Sequence, residues 1–279
     1  MHGRIKRSAM FFILVLAALF LGVLFYRKFS DYRMSSLEYQ GLRDRFSVIH
    51  GDLGSDVSDG DENAVKEKDP CGFSFPDISI DHEGLLDKNQ DYAAWLYYPD
   101  GNIDLPVVQE PEGKFGYYSH RTFEGTSRSA GCVYASSEIR LDSGRGNVFL
   151  FGHNMADGSM FGTLKQLYRD KKEITDPYFY LFMKDGTKRQ FRILSMHVVH
   201  CEDYDFYDSP GTPDAYDVYM KRVLSSDEKG ILEKFPLSDY EQRCIDVRSQ
   251  IVTLYTCFGR AGTDRRLYVQ GVETYVEKE

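Results

Sequence analysis

The chain has 279 residues and a formal net charge of −9, and aromatic residues make up 14% of it. An acidic chain with no basic stripe beyond its N-terminus argues against a nucleic-acid-binding protein. The 20 Tyr and 19 Phe are enough for a sizeable core, and many Tyr suit half-buried β-strands.

The first predicted element is a membrane anchor at residues 9–26, a stretch without charged residues. Its length falls at the short end of the roughly 17–25 residues that span a bilayer. A cleavable signal peptide is the alternative, but its apolar part is shorter and a small-x-small site follows it, which is missing here. We therefore predict an uncleaved single-pass anchor. Basic residues flank both ends, and they favour only weakly a cytoplasmic N-terminus with residues 30–279 outside the cell.

Two further segments precede the folded domain. Residues 31–50 carry Leu37, Leu42 and Phe46 among charged residues, which predicts an amphipathic helix. Residues 51–70 are acidic and rich in turn residues, which is typical of a flexible linker that gives a domain reach. The predicted organisation is a cytoplasmic tail and anchor at 1–29, a helical and acidic linker at 30–70, and a catalytic domain at 71–279.

The remaining pattern consists of short apolar runs separated by turn residues, which predicts a mainly β domain. Gly186 predicts a hairpin turn at 184–187. The predicted strands are 93–98, 105–109, 131–135, 147–152, 178–183, 189–199, 250–256 and 267–276, and the predicted helices are 159–168 and 214–224.

The chemistry concentrates at strand ends. Cys257 ends the apolar run Thr-Leu-Tyr-Thr-Cys at 253–257, and a loop with two glycines follows it. A cysteine in that position is usually an inert apolar residue, but an exposed strand end is also where nucleophiles are placed. His153 ends the run at 147–153 and is the candidate base, with His120 as the weaker alternative.

Arg266 is the candidate for oxyanion stabilisation, because it opens the next apolar run. Arg265 stays open as the alternative, since adjacent residues on a strand point to opposite faces. The non-functional alternative is that both arginines are simply solvated at the start of a strand.

The five cysteines contain no C-x-x-C pair, which argues against a thioredoxin-like motif or a zinc ribbon. Their odd number leaves at least one thiol free or paired between molecules. His197 and His200, with Cys201 and Cys244, suggest a metal site, but the spacing matches no familiar zinc signature. We predict neither a metal nor an organic cofactor.

These positions, in the order His, Cys, Arg, resemble the sortases, which are cysteine transpeptidases of Gram-positive cell surfaces. Thr-Leu-Tyr-Thr-Cys at 253–257 matches the T-L-x-T-C signature of the family. The subclass resembled is class B, through 103–109, the Phe-Gly-His-Asn-Met run at 151–155, and a helical insertion at about 214–240. One departure is Tyr255, where this class often has Ser.

The resemblance implies a closed eight-stranded β-barrel with peripheral helices. It implies that Cys257 attacks the threonine carbonyl of a C-terminal sorting signal, of the NPxTx type in class B, on a secreted protein. His153 would then move the proton and Arg266 would stabilise the oxyanion. The acceptor would be an amine of peptidoglycan or a pilin lysine, and we expect Thr256, Asn154 and Tyr255 to bind the substrate.

Two alternatives remain at this point. The first is a hydrolase that uses the same residues and releases the acyl group to water. The second is a non-catalytic, membrane-anchored binding module with a structural cysteine at 257. A papain-like protease fits less well, because its Cys segment is missing and His153 precedes Cys257.

Overall fold

The computed structural model describes residues 2–50, 74–144, 146–169, 174–202, 215, 218–219, 221, 234–245, 249–259 and 262–278. Within them, the α-helices are α1 (His2–Phe46), α2 (His82–Lys88), α3 (Leu164–Arg169) and α4 (Asp239–Cys244), and short 3₁₀ helices span Tyr117–His120 and Leu141–Ser143. The strands are β1 (Ser47–Ile49), β2 (Ile78–Ile80), β3 (Tyr92–Tyr98), β4 (Ile103–Gln109), β5 (Val133–Ala135), β6 (Asn147–Phe151), β7 (Tyr178–Met183), β8 (Lys188–His200), β9 (Ile251–Cys257) and β10 (Arg265–Glu277).

Eight strands form a closed barrel in the order β10, β8, β7, β3, β4, β5, β6, β9. The pairs β4–β5 and β6–β9 are parallel, and the other neighbours are antiparallel. This confirms the predicted closed eight-stranded barrel. Each predicted strand matches one barrel strand, with ends that agree to within two residues.

The barrel is filled by apolar side chains from alternate positions of the strands. On β9, Val252 and Leu254 belong to the main core, whereas Tyr255 packs with a separate aromatic cluster. This alternation fixes which β9 side chains face the interior. The largest fully buried apolar side chains include Trp95, Tyr92, Tyr98, Tyr268, Phe123, Phe161, Phe179 and Phe191.

The predicted helix at 159–168 is shorter than expected, since α3 begins at Leu164. The residues before it form turns, with positive φ angles at Gly158 (85°) and Met160 (53°). Gly162 approaches the Met155 carbonyl so closely that an added Cβ would lie 2.4 Å from that oxygen. A continuous helix cannot adopt this backbone. Most of the helix predicted at 214–224 lies outside the described residues.

The anchor and the amphipathic helix that the sequence predicts separately form one continuous helix, α1. Its C-terminal part packs on the barrel, where Tyr39, Leu42 and Phe46 are buried with the core. The Tyr39 hydroxyl donates a 2.5 Å hydrogen bond to the Gly131 carbonyl. The chain therefore contacts the barrel before it reaches the predicted linker at 51–70, which lies outside the described residues.

We expect replacement of Leu42 by Ala to destabilise the folded domain by about 2–5 kcal/mol, because Leu42 is 2% exposed and its truncation leaves a cavity. The matched control is Leu37→Ala on the same helix, where the side chain is 51% exposed and the change should stay within about 0.5 kcal/mol. Thermal unfolding of the full chain in detergent measures both. Equal effects would contradict the docking of α1.

Candidate active site

Three neighbouring strands, β6, β9 and β10, bring the predicted site residues to one end of the barrel. Phe151 on β6 pairs with Tyr255 on β9 in parallel register, and the Gly152 amide donates to the Tyr255 carbonyl at 3.1 Å. His153 and Cys257 each follow their paired residue by two positions. Arg266 on β10 lies directly opposite Cys257. The register therefore sets Cys257 opposite Arg266 and places His153 just past the end of the neighbouring strand β6, at the same end of the barrel.

An aromatic cluster lies one step below this row on the same strands. The ring centroids of Phe151 and Tyr255 are 4.8 Å apart, and those of Tyr255 and Tyr268 are 5.2 Å apart. Residues two apart on a strand share a face, so Cys257 shares the face of Tyr255 and Arg266 that of Tyr268. The rings stiffen the sheet directly beneath the site.

His153 is half-buried, and its orientation is fixed by a backbone acceptor. Its Nε2 lies 2.7 Å from the Ser119 carbonyl oxygen, which can only accept a hydrogen bond. The neutral ring therefore carries its proton on Nε2 and keeps the Nδ1 lone pair available. Burial lowers the pKa of His153 below its ordinary value, the bond to Ser119 opposes this shift, and the nearby His120 lowers it further.

The Ser119 carbonyl is held in place by tight backbone packing. Gly131 adopts a φ of 59°, and a Cβ added there would lie 2.5 Å from the Ser119 oxygen. The Cys132 amide donates to the neighbouring Tyr118 carbonyl at 3.1 Å. These contacts fix the turn that orients His153.

Arg266 is held by three hydrogen bonds. Its Nε donates to the Tyr255 hydroxyl at 3.0 Å, and one terminal nitrogen donates to the carbonyls of Thr263 and Arg265 at 2.6 and 3.0 Å. Burial lowers the pKa of Arg266, but Cys257 and Tyr255 outweigh it and hold the pKa above its ordinary value. The guanidinium is a fixed cation beside the thiol.

Arg265 differs from its neighbour in position. It is exposed, and it pairs with His200 on β8. Alternation along β10 sends its side chain to the face opposite that of Arg266. Of the two arginines left open by the sequence, Arg266 is the one that the β9–β10 register aligns with Cys257.

Cys257 is a free, half-buried thiol at the end of β9. Cys132 offers a contrast within the same barrel, because it is fully buried and burial raises the pKa of its thiol to about 12. A thiol of that kind stays protonated and inert at neutral pH. Cys257 instead lies half-buried at a strand end, opposite the cationic Arg266.

The predicted substrate-binding residues occupy three different environments. Thr256 is 1% exposed and points to the face opposite Cys257, so only its backbone lies near the thiol. Asn154 donates from Nδ2 to the Gly259 carbonyl at 3.4 Å, and its buried Oδ1 has no hydrogen-bond partner. Tyr255 bonds Arg266. Substrate contact by these residues stays a prediction.

Sequence reasoning missed the contribution of Ser119. Ser119 acts through its backbone carbonyl and lies 34 residues before His153, so no side-chain motif could have revealed it. His120, predicted as the weaker alternative base, stacks on His153 with ring centroids 5.6 Å apart.

The hypothetical metal cluster does not assemble in the part of the chain that the structure describes. No group of three or more His, Cys, Asp and Glu side chains there could hold an ion. His197 is buried and lies 5.6 Å from the Tyr268 ring, whereas His200 is exposed and pairs with Asp264. The side chain of Cys244 lies outside the described residues.

A mixed β-barrel with a thiol, an imidazole and a guanidinium on three adjacent strand ends is the arrangement of a cysteine-dependent acyl-transfer enzyme. The model of the sortase domain family matches residues 96–274, and the chain belongs to the sortase family.

Individual relatives indicate class B. The chain is 26% identical over 221 residues to sortase B of Listeria monocytogenes, covering 76% of this chain and 81% of that protein. It is 25% identical over 181 residues to sortase B of Staphylococcus aureus, and this match covers 63% of this chain and 66% of that protein. The crystal structure of sortase B from Clostridium perfringens has a TM-score of 0.58 and 27% identity, covering 68% of this chain and 98% of that one. The chain is therefore a cysteine transpeptidase similar to the class B sortases.

Replacing His120 by Asn should move the pH–rate profile to higher pH. The cationic form of His120 lowers the pKa of His153, so its removal raises that pKa and shifts the limb that reports the imidazole upward. The control is His50→Asn, an exposed histidine bonded to Ser79. Profiles of turnover against pH for both variants test this. An unchanged limb in the His120 variant would show that the two rings are not coupled.

Proposed function

We propose that this protein cleaves a C-terminal sorting signal of the NPxTx type after its Thr and transfers the acyl group to an amine of peptidoglycan or a pilin. The observation that carries the proposal is the alignment of Cys257 opposite Arg266, with His153 just after the end of the neighbouring strand β6. The family and its class B relatives support the reaction type. The choice of signal and acceptor rests on the resemblance.

In the first half-reaction Nδ1 of His153 takes the thiol proton of Cys257, and the resulting thiolate attacks the threonine carbonyl carbon. Negative charge develops on the carbonyl oxygen, and the Arg266 guanidinium stabilises it. The C–N bond then breaks, the leaving amine takes a proton from Nδ1 of His153, and a thioester joins the acyl group to Cys257. The hydrogen bond from Nε2 to Ser119 leaves Nδ1 as the nitrogen that moves the proton.

In the second half-reaction an acceptor amine attacks the thioester carbonyl. Nδ1 of His153 removes its proton, the C–S bond breaks, and the Cys257 thiolate is regenerated. No metal or organic cofactor takes part in these steps. Water as the acceptor gives the hydrolase alternative with the same residues.

In this proposal the enzyme is anchored in the cell membrane, with its N-terminus in the cytoplasm and its barrel outside the cell. Residues 10–26 are helical, and their side chains are largely exposed and apolar. The helix is long and apolar enough to cross a bilayer. The partners in this arrangement are secreted proteins with a sorting signal and an amine-bearing acceptor at the cell surface.

The adjacent arginines provide a matched test of the proposed site. Arg266→Ala should reduce turnover of an NPxTx peptide by about 100-fold or more, because a positioned oxyanion donor is lost. Arg265→Ala should change turnover little, since that side chain is exposed on the opposite face. Chromatography of the products, with and without an added amine such as triglycine, measures both variants.

The products also separate the alternatives. A ligated product that depends on the amine establishes transfer, and hydrolysis products alone under saturating amine establish the hydrolase. If the Arg265 variant lost activity and the Arg266 variant kept it, the assignment of Arg266 as the oxyanion-stabilising residue would be wrong. Activity that survives Cys257→Ala would remove the thiol from the reaction.

A further inference from the structure

The turn that orients His153 is bonded to a buried carboxylate, that of Glu110. This residue directly follows β4 and is 3% exposed. Its Oε1 accepts a hydrogen bond from the Tyr118 amide at 3.4 Å. Its own amide donates to the Ala135 carbonyl at 3.0 Å, which fixes Glu110 to the barrel. The carboxylate therefore connects the barrel wall to the segment that carries Ser119.

Glu110 lies at the start of the short 3₁₀ helix Tyr117–His120, where Gly116 precedes the helix with a φ of 71°. The first amides of a helix have no partner inside it and need acceptors from elsewhere. Burial raises the pKa of Glu110 above its ordinary value. The amides of Gly116, Tyr118 and Tyr117 oppose that shift, so all three face the carboxylate.

The same turn transmits this constraint to His153. The Ser119 amide and hydroxyl both donate to the Gly116 carbonyl, at 3.1 and 2.7 Å. The Ser119 carbonyl in turn lies 2.7 Å from Nε2 of His153. Glu110 therefore reaches the imidazole through one tight turn, in which Tyr118 and Ser119 are consecutive residues.

The side chain of Tyr118 is held separately from its backbone. Its hydroxyl donates to Oδ2 of Asp91 at 2.7 Å and accepts from Nδ2 of Asn89 at 3.1 Å. These bonds fix the ring, whereas Glu110 bonds the amide. The turn thus keeps contacts with the barrel that do not depend on the charge of Glu110.

A carboxylate at this position is unfavourable for stability alone. Oε2 of Glu110 is buried and has no hydrogen-bond partner among the residues that the structure describes. Burying a charged group without full pairing opposes folding. A glutamine of the same shape would avoid most of this penalty and keep one acceptor for the Tyr118 amide. A carboxylate instead makes charge-assisted bonds, which are roughly twice as strong as neutral ones.

We propose that Glu110 is a positioning residue for the transfer reaction, which holds the Ser119 carbonyl in place and thereby fixes the ring of His153. This inference rests on the proposed role of His153 in proton transfer. Glu110 acts through the backbone of the turn and not on the reacting atoms. Its loss should therefore slow the proton-transfer steps and leave peptide binding unchanged.

Glu110→Gln separates positioning from a structural role, and the matched control is Glu112→Gln, an exposed glutamate two residues further along. We expect Glu110→Gln to lower kcat for an NPxTx peptide by about 10-fold with KM unchanged, because small misplacements of a reacting group slow the reaction. Its Tm should stay equal or rise, because an incompletely paired buried charge is removed. A purely structural role predicts the opposite, a lower Tm with an unchanged kcat below it.

NMR of the full chain in detergent, with ¹⁵N-labelled histidine, reports on the hydrogen bond itself. The Nε2 proton of His153 should exchange slowly with water, because the Ser119 carbonyl holds it. Its signal is identified by its loss in His153→Gln. Glu110→Gln should speed this exchange several-fold, and Glu112→Gln should leave it unchanged. An unchanged exchange rate or an unchanged kcat in Glu110→Gln overturns the proposal.

Failures of the two proposals give different results. An active His153→Gln variant overturns the catalytic role of the imidazole and this inference with it. An inactive His153→Gln variant beside a fully active Glu110→Gln variant overturns this inference alone. If Glu110→Gln does not fold, Glu110→Asp takes its place, since its shorter side chain keeps the charge but draws it back from the amides. The same fall in kcat and the same faster exchange are then expected.

Discussion

The parallel pairing of β6 with β9 is the constraint on which the site depends. Phe151 and Tyr255 are paired, so the two strands end together and His153 and Cys257 reach the same rim. The antiparallel β9–β10 pair adds Arg266 directly opposite Cys257. A shift of one residue in either pair would send one of the three side chains to the other face. The aromatic cluster of Phe151, Tyr255 and Tyr268 packs across the same three strands and holds that register.

Hydrogen bonds hold two of these three side chains, His153 and Arg266, in place. The Ser119 carbonyl accepts a hydrogen bond from Nε2 of His153, and the Tyr255 hydroxyl accepts one from Nε of Arg266. The imidazole and the guanidinium therefore have fixed orientations before a substrate arrives, which reduces the reorganisation required in the transition state. Tyr255, the departure from the Ser that is frequent in this class, has a defined contact here, because its hydroxyl bonds the guanidinium and its ring belongs to the aromatic cluster.

Much of the barrel and of the candidate site could be predicted from the sequence. Short apolar runs located the barrel strands, and the ends of those runs located Cys257, His153 and Arg266. The contributions that were missed share a physical cause. Ser119 acts through a backbone carbonyl, and the turns after His153 depend on a glycine packed against the Met155 carbonyl. The docking of α1 was also hidden, because Leu42 and Phe46 predict an apolar helix face but not the surface that covers it. Such features depend on contacts between distant segments, which local patterns do not encode.

The proposed reaction requires that Cys257 form a thioester with the acyl part of a sorting-signal peptide. Intact-protein mass spectrometry of the full chain in detergent, mixed with an NPxTx peptide and quenched in acid, tests it most directly. We expect a mass gain equal to the acyl half of the peptide, absent in Cys257→Ala and discharged by an added amine. A protein that cleaves the peptide without any adduct, or that forms the same adduct in Cys257→Ala, would contradict it.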